Sequence, residues 1–125
     1  ICKTLGNKAC HIILRGSNTG PNYYESNVQE VVRTINKSEM NAKIMIDCSH
    51  GNSGKIHSNQ PVVLEDVIRQ IKSGNSNIIG VMIESNIHEG KQTLTEELKY
   101  GVSITDSCIS IETTQEILIT AYDNL

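Results

Sequence analysis

Short β-branched runs alternate with helix-length amphipathic stretches along this chain. Three of the runs end on a polar side chain able to grip an anion or a metal. They are His11-Ile12-Ile13-Leu14-Arg15, Lys43-Ile44-Met45-Ile46-Asp47-Cys48-Ser49-His50, and Ile78-Ile79-Gly80-Val81-Met82-Ile83-Glu84. The end residues Arg15, His50 and Glu84 follow one another at intervals of 35 and 34 residues. A β-branched run followed by a helix-length stretch, three times over, predicts consecutive βα units. Groups at the carboxyl ends of parallel strands lie on the rim where α/β folds place their active sites. Arg15, His50 and Glu84 are therefore expected to converge on one ligand.

The pattern predicts a strand at 10–15, a turn-rich stretch from Gly16 to Asn22, and a helix opened by a Ser26/Gln29 capping box. Val28, Val31, Val32 and Ile35 form that helix's apolar face. A second strand is expected at 43–48. The next helix has Pro61 in its first turn, Val63, Leu64, Val67, Ile68 and Ile71 at helical spacing, and Gly74 as its stop. The third strand falls at 77–83, and the polar stretch 85–105 is long enough to be a functional loop. A last helix is expected from Thr113, with Glu116 completing a capping box and Ile117, Leu118 and Ala121 inward.

Composition narrows the class. Aromatic content is 3% with no Trp or Phe, so the core must be Ile, Val, Leu and Met, as suits a covered parallel sheet. The net charge of −3 comes with scattered Lys and Arg, not the basic stripe that nucleic-acid binding requires. No run has the length of a membrane span. Four widely spaced cysteines without a C-x-x-C pair make a cytosolic compartment the default. The chain opens on Ile1 and holds three βα units where a closed barrel needs eight, so it is expected to be a piece of a longer protein.

Candidate chemistry centres on His50. His50 and Glu84 with one further carboxylate suit a divalent metal acting as a Lewis acid, and the alternative is a hydrogen-bonded loop histidine. Strand parity places Ile46, Cys48 and His50 on one face, which makes Cys48 a thiolate candidate, although a buried reduced thiol is commoner. Arg15 either recognises a phosphate or carboxylate, or forms an ion pair at the sheet rim. His57 and His88 read as solvated loop residues and His11 as structural. The stretch Gly51 to Lys55 is half of a phosphate-cradling loop. Ser49 stands where the first Gly belongs and Ile56 follows the lysine, so a nucleotide P-loop is rejected. On spacing alone Asp106 is a loop acid.

Four blocks carry a resemblance. They are Asp47-Cys48-Ser49-His50-Gly51-Asn52-Ser53 with Asn59-Gln60-Pro61, Cys10 to Gly16, Gly80 to Asn86, and Tyr100-Gly101 through Ser103-Ile104-Thr105-Asp106. In order and spacing they resemble the class I 3-deoxy-D-arabino-heptulosonate 7-phosphate (DAHP) synthases, and the likeness looks closest to the microbial, aromatic-amino-acid-regulated branch of fungal type. The resemblance implies a cytoplasmic, metal-dependent transferase that condenses phosphoenolpyruvate with erythrose 4-phosphate on a (β/α)8 barrel, the first step of the shikimate pathway. Residues 1–125 would be its carboxyl-terminal three βα units, from an enzyme that is homo-oligomeric when whole. By motif, His50, Glu84 and Asp106 would ligate a divalent ion of the Mn, Fe, Co or Zn type. His50 would be the catalytic residue, and Arg15 and Asp106 would contact substrate. The family's ligand cysteine and its Lys- and Arg-rich substrate segment have no counterpart here, and the family's Gly-Trp is Ser110-Ile111. The fragment is thus expected to be inactive alone. The alternative is a non-catalytic truncated barrel that self-associates through open edges.

Overall fold

A computed structural model describes residues 1–7, 9–40 and 42–125. In chain order the elements are β1 (Ile12–Leu14), α1 (Glu25–Lys37), β2 (Ile44–Asp47), a 3-10 turn (His57–Asn59), α2 (Gln60–Lys72), β3 (Ile78–Met82), β4 (Ser85–Asn86), β5 (Ile109–Ser110) and α3 (Ile111–Asp123). Strands β1, β2 and β3 pair in sequence order and all parallel, with Ile12, Ile44 and Ile78 on one rung. The pairing shifts between Ile44 and Met45, since Ile44 faces Ile78 but Met45 faces Gly80, which leaves Ile79 as the extra residue.

Three helices were expected and three are present among the described residues, where the strand count is larger. After a break at Ile83 and Glu84, β4 pairs in parallel with β5 in a separate two-stranded sheet. The Ile109 amide donates to the Glu84 carbonyl at 3.0 Å across that break. The dipeptide β5 lies immediately ahead of α3 and is too short for any periodic signal.

One face of the sheet is the core. Leu14, Ile44, Ile46, Cys48 and Ile78 meet Val28 and Ile35 of α1 and Val63, Leu64 and Val67 of α2, with Ile117 and Ala121 of α3 packed alongside. The apolar faces expected of α1 and α2 are therefore the ones that pack. The other face is sparsely covered, with Ile13 43% and Met82 39% exposed. Among the described residues no helix is long and apolar enough to cross a membrane.

Both capping boxes are corrected. Helix α1 begins at Glu25 after Tyr24, whose carbonyl takes the amides of Asn27 and Val28, so Ser26 lies inside the first turn and Gln29 bonds Glu25 instead. Helix α3 begins at Ile111, two residues ahead of expectation. The side chain of Ser110, still in extended backbone, accepts from the Thr113 amide, so Ser110 is the capping residue and Thr113 the residue it caps. Leu118 points outward and is half exposed. Pro61 does stand in the first turn of α2, and Gly74 ends the helix at φ 100°.

Candidate metal centre

The centre is built on the carboxyl ends of β1, β2 and β3. Buried Asn52 donates through Nδ2 to the Leu14 carbonyl at 3.0 Å and to the Asp47 carbonyl at 2.8 Å, and its Oδ1 accepts from the Asn22 amide. It thereby ties the ends of β1 and β2 to the loop after β1. The Gly51 amide donates to the Arg15 carbonyl at 3.0 Å, and the two loops touch backbone to backbone. A Cβ on Gly16 would lie 2.4 Å from the Gly51 carbonyl carbon, and Gly16 sits at φ 82°, so this crossing admits no side chain there.

Beyond β2 the chain turns sharply, with His50 at φ 48°, a left-handed conformation uncommon for a residue bearing a Cβ. The turn brings His50 back over Asp47. Oδ1 of Asp47 accepts from the Ser49 amide at 2.8 Å and from the Ser49 hydroxyl at 2.5 Å, while Oδ2 lies 2.8 Å from His50 Nδ1. A carboxylate on Nδ1 places the ring proton there and leaves the Nε2 lone pair free, as metal-binding histidines require.

Nε2 of His50 faces Glu84 Oε1 at 3.5 Å and Asp106 Oδ2 at 3.6 Å. Glu84 is set by Gln60, a wholly buried side chain at the start of α2 that serves as a substitute strand. Its Oε1 accepts from the Glu84 amide at 2.8 Å and its Nε2 donates to the Glu84 carbonyl at 3.1 Å. Burial raises the Glu84 carboxyl above its ordinary range. The His50 ring opposes that shift, Asp106 and Asp47 add to it, and the Ser49 hydroxyl opposes it. Two carboxylates converge on the ring, and a third stands behind the histidine.

The ligand atoms of His50, Glu84 and Asp106 all lie within 4.8 Å of one another. Donors at about 2.1 Å from one ion in tetrahedral array are spaced roughly 3.4 Å apart, so the Nε2–carboxylate distances suit a shared cation.

Three expected ligands are thus brought together, and the others are not with them. The Arg15 side chain is exposed and makes no ion pair with a described carboxylate. Cys48 is buried in the helix-facing core, in line with the commoner reading of a buried reduced thiol. Burial, and then the Asp47 charge, push its thiol up to about 12. His57 is corrected. It is half buried, with Nδ1 2.8 Å from the Ser107 hydroxyl and Nε2 3.8 Å from Glu89. Asp47, Ser49 and Gln60 were missed as functional residues. An acid ending an apolar strand three residues before a histidine was the available signal for Asp47, whereas Gln60 gave none.

A small parallel α/β unit with a His-Glu-Asp cluster at its strand ends is the class of protein these elements define. The model of the DAHP synthetase I family matches residues 2–119, and the chain belongs to that family. It is 50% identical over 124 residues to the tyrosine-inhibited phospho-2-dehydro-3-deoxyheptonate aldolase of Schizosaccharomyces pombe, covering 94% of this chain and 33% of that one. Identity to the Tyr-sensitive aldolase of Escherichia coli is 46%, covering 100% of this chain and 36% of the other. The solved phospho-2-dehydro-3-deoxyheptonate aldolase of Francisella tularensis SCHU S4 superposes with a TM-score of 0.92 at 44% identity, over 97% of this chain and 36% of that one. The chain spans about a third of the length of the relatives it matches.

Proposed function

We propose that the chain is the carboxyl-terminal portion of a (β/α)8 DAHP synthase, and that the whole enzyme condenses phosphoenolpyruvate with erythrose 4-phosphate. The observation carrying this reading is the convergence of His50, Glu84 and Asp106 within 4.8 Å, in a chain of this family. His50, Glu84 and Asp106 would hold a divalent ion of the Mn, Fe, Co or Zn type. Such an ion supplies Lewis-acid polarisation of a carbonyl oxygen, here the aldehyde of the sugar phosphate.

The chain's own residues supply the remainder. Asp47 fixes the His50 tautomer, and with Nδ1 on Asp47 and Nε2 toward the carboxylates, His50 contributes to catalysis as a ligand. Arg15, at the end of β1 and free of described ion pairs, pairs with the phosphate of phosphoenolpyruvate and holds its methylene carbon in line. Asp106, the most exposed of the three, stands nearest to entering substrate. Alone the chain lacks the family's cysteine ligand and its basic substrate segment, and turns over little. The four cysteines, all free, suit a reducing cytoplasm, and homo-oligomerisation belongs to the whole enzyme.

The test is a chimaera in which these 125 residues replace the matching third of the Schizosaccharomyces pombe relative. It should make product, His50→Ala within it should lose activity at least about a hundredfold, and the isolated chain should make none. An inactive but folded chimaera would refute the reading. A second reading, a non-catalytic piece that associates with itself, is favoured by the thinly covered sheet face at Ile13 and Met82. Detectable chimaera activity would argue against it.

A further inference from the structure

His50 and Glu84 each have a dedicated tether, Asp47 for the first and Gln60 for the second. Asp106 has neither a buried setting nor a direct partner of that kind, and its side chain is 58% exposed on the loop between the 85–105 segment and β5. The hydrogen bonds of that loop are nearly all local. Ser103 and Thr105 bond each other, and the Cys108 thiol donates to the Asp106 carbonyl. Among the described hydrogen bonds of residues 104–107, only Ser107 to His57 reaches a segment carrying another ligand. His57 opens the 3-10 turn seven residues beyond His50. Glu89 faces the other ring nitrogen at 3.8 Å, which favours the tautomer with the proton on Nε2 and Nδ1 accepting from the Ser107 hydroxyl.

We propose that His57 is a positioning residue whose bond to Ser107 holds Asp106 in place to complete a cation site with His50 and Glu84. The inference rests on the reading of that trio as a metal centre, but concerns residues outside it. The bond clamps the His50 loop to the Asp106 loop one residue from the ligand. Without it, Asp106 would have to be ordered at the moment the ion binds, and affinity would fall by the cost of that ordering. Partners of metal ligands typically contribute ten- to a hundredfold in affinity.

Calorimetric titration of the chain with Mn2+ tests this. His57→Ala and Ser107→Ala should each weaken binding about tenfold, and the double variant should be no weaker than either. His57→Asn, whose amide can reach Ser107 where Nδ1 does, should recover most of the loss. The metal-free unfolding midpoint of Ser107→Ala should stay within about 1 °C of the parent, as for a change outside the core. Should His57→Ala fail to fold, Ser107→Ala carries the comparison. Unchanged affinity in Ser107→Ala, or losses that add in the double variant, would overturn the clamp. A parent chain that binds no Mn2+, or His50→Ala that binds it normally, would instead remove the metal centre and the clamp with it.

Discussion

The Asp47–His50 pair shows how a single residue determines what a site can hold. Without Asp47 the ring keeps at Nδ1 only the Ser49 hydroxyl, 2.7 Å away, which can donate as well as accept, so either nitrogen can carry the proton. Asp47→Ala should therefore weaken divalent-ion binding about ten- to a hundredfold, read by calorimetry, with Ser49 left without its acceptor as well. Cys48 next door makes the opposite case, a reactive group silenced by burial. Its folded thiol ionises near 12 against an ordinary 9.0, so folded and unfolded chains bind equal protons below pH 9. Between those values the unfolded chain alone loses the proton, and stability should fall by up to about 1.4 kcal/mol per pH unit. Alkylation at pH 8 should label exposed Cys2 and Cys10 and spare Cys48 until the chain unfolds. His50 and Glu84 were legible because they end apolar runs at matched intervals. Asp106 became legible only through family likeness, because its approach depends on a loop of about 20 residues. Asp47 escaped notice because strand parity points it away from His50, and only the turn at φ 48° brings the two together.

At the scale of elements, the helix faces and strand cores could be read from period alone, whereas element starts could not. A capping box needs only a hydroxyl and a Glu or Gln three positions on, and both candidates matched. Yet the boundary is set by which residue keeps extended backbone: Tyr24 for α1, and Ser110 for α3 because β5 runs straight into the helix. The contact that matters most to the site joins α2 to the break after β3, where Gln60 takes the place of a neighbouring strand for Glu84. The Glu84 carbonyl keeps a second donor in the Ile109 amide, but the Glu84 amide has no other partner among the described hydrogen bonds. Gln60→Ala should cost about 2 kcal/mol in urea unfolding for that orphaned group, and should also weaken ion binding by freeing the Glu84 backbone. At the crossing of the two loops, Gly16→Ala meets backbone at 2.4 Å with φ 82°, so a loss above about 2 kcal/mol is expected there.

On the scale of the whole molecule, the surface is larger than its mass warrants. A compact monomer of 13.8 kDa exposes roughly 6,600 Å² by the usual scaling, and this chain exposes 8782 Å². The excess, on the order of 2,000 Å², is comparable to what a standard protein interface buries in total. Residues 1–7, all exposed and outside any strand or helix, account for part of it; the sheet face opposite the helices, at Ile13 and Met82, and the outer edge of β1, which pairs only with β2 among the described strands, are open as well. Ile13 and Met82 put apolar side chains on that open face, which favours association of the isolated chain with itself. The isolated chain should sediment with a concentration-dependent mass and bind a hydrophobic dye. The pair Ile13→Lys and Met82→Lys should lower both signals while shifting the unfolding midpoint little, because neither side chain is buried in the helix-facing core. If the parent chain instead sediments as a single monomer at all concentrations, with one sharp unfolding transition, the open face is tolerated by water.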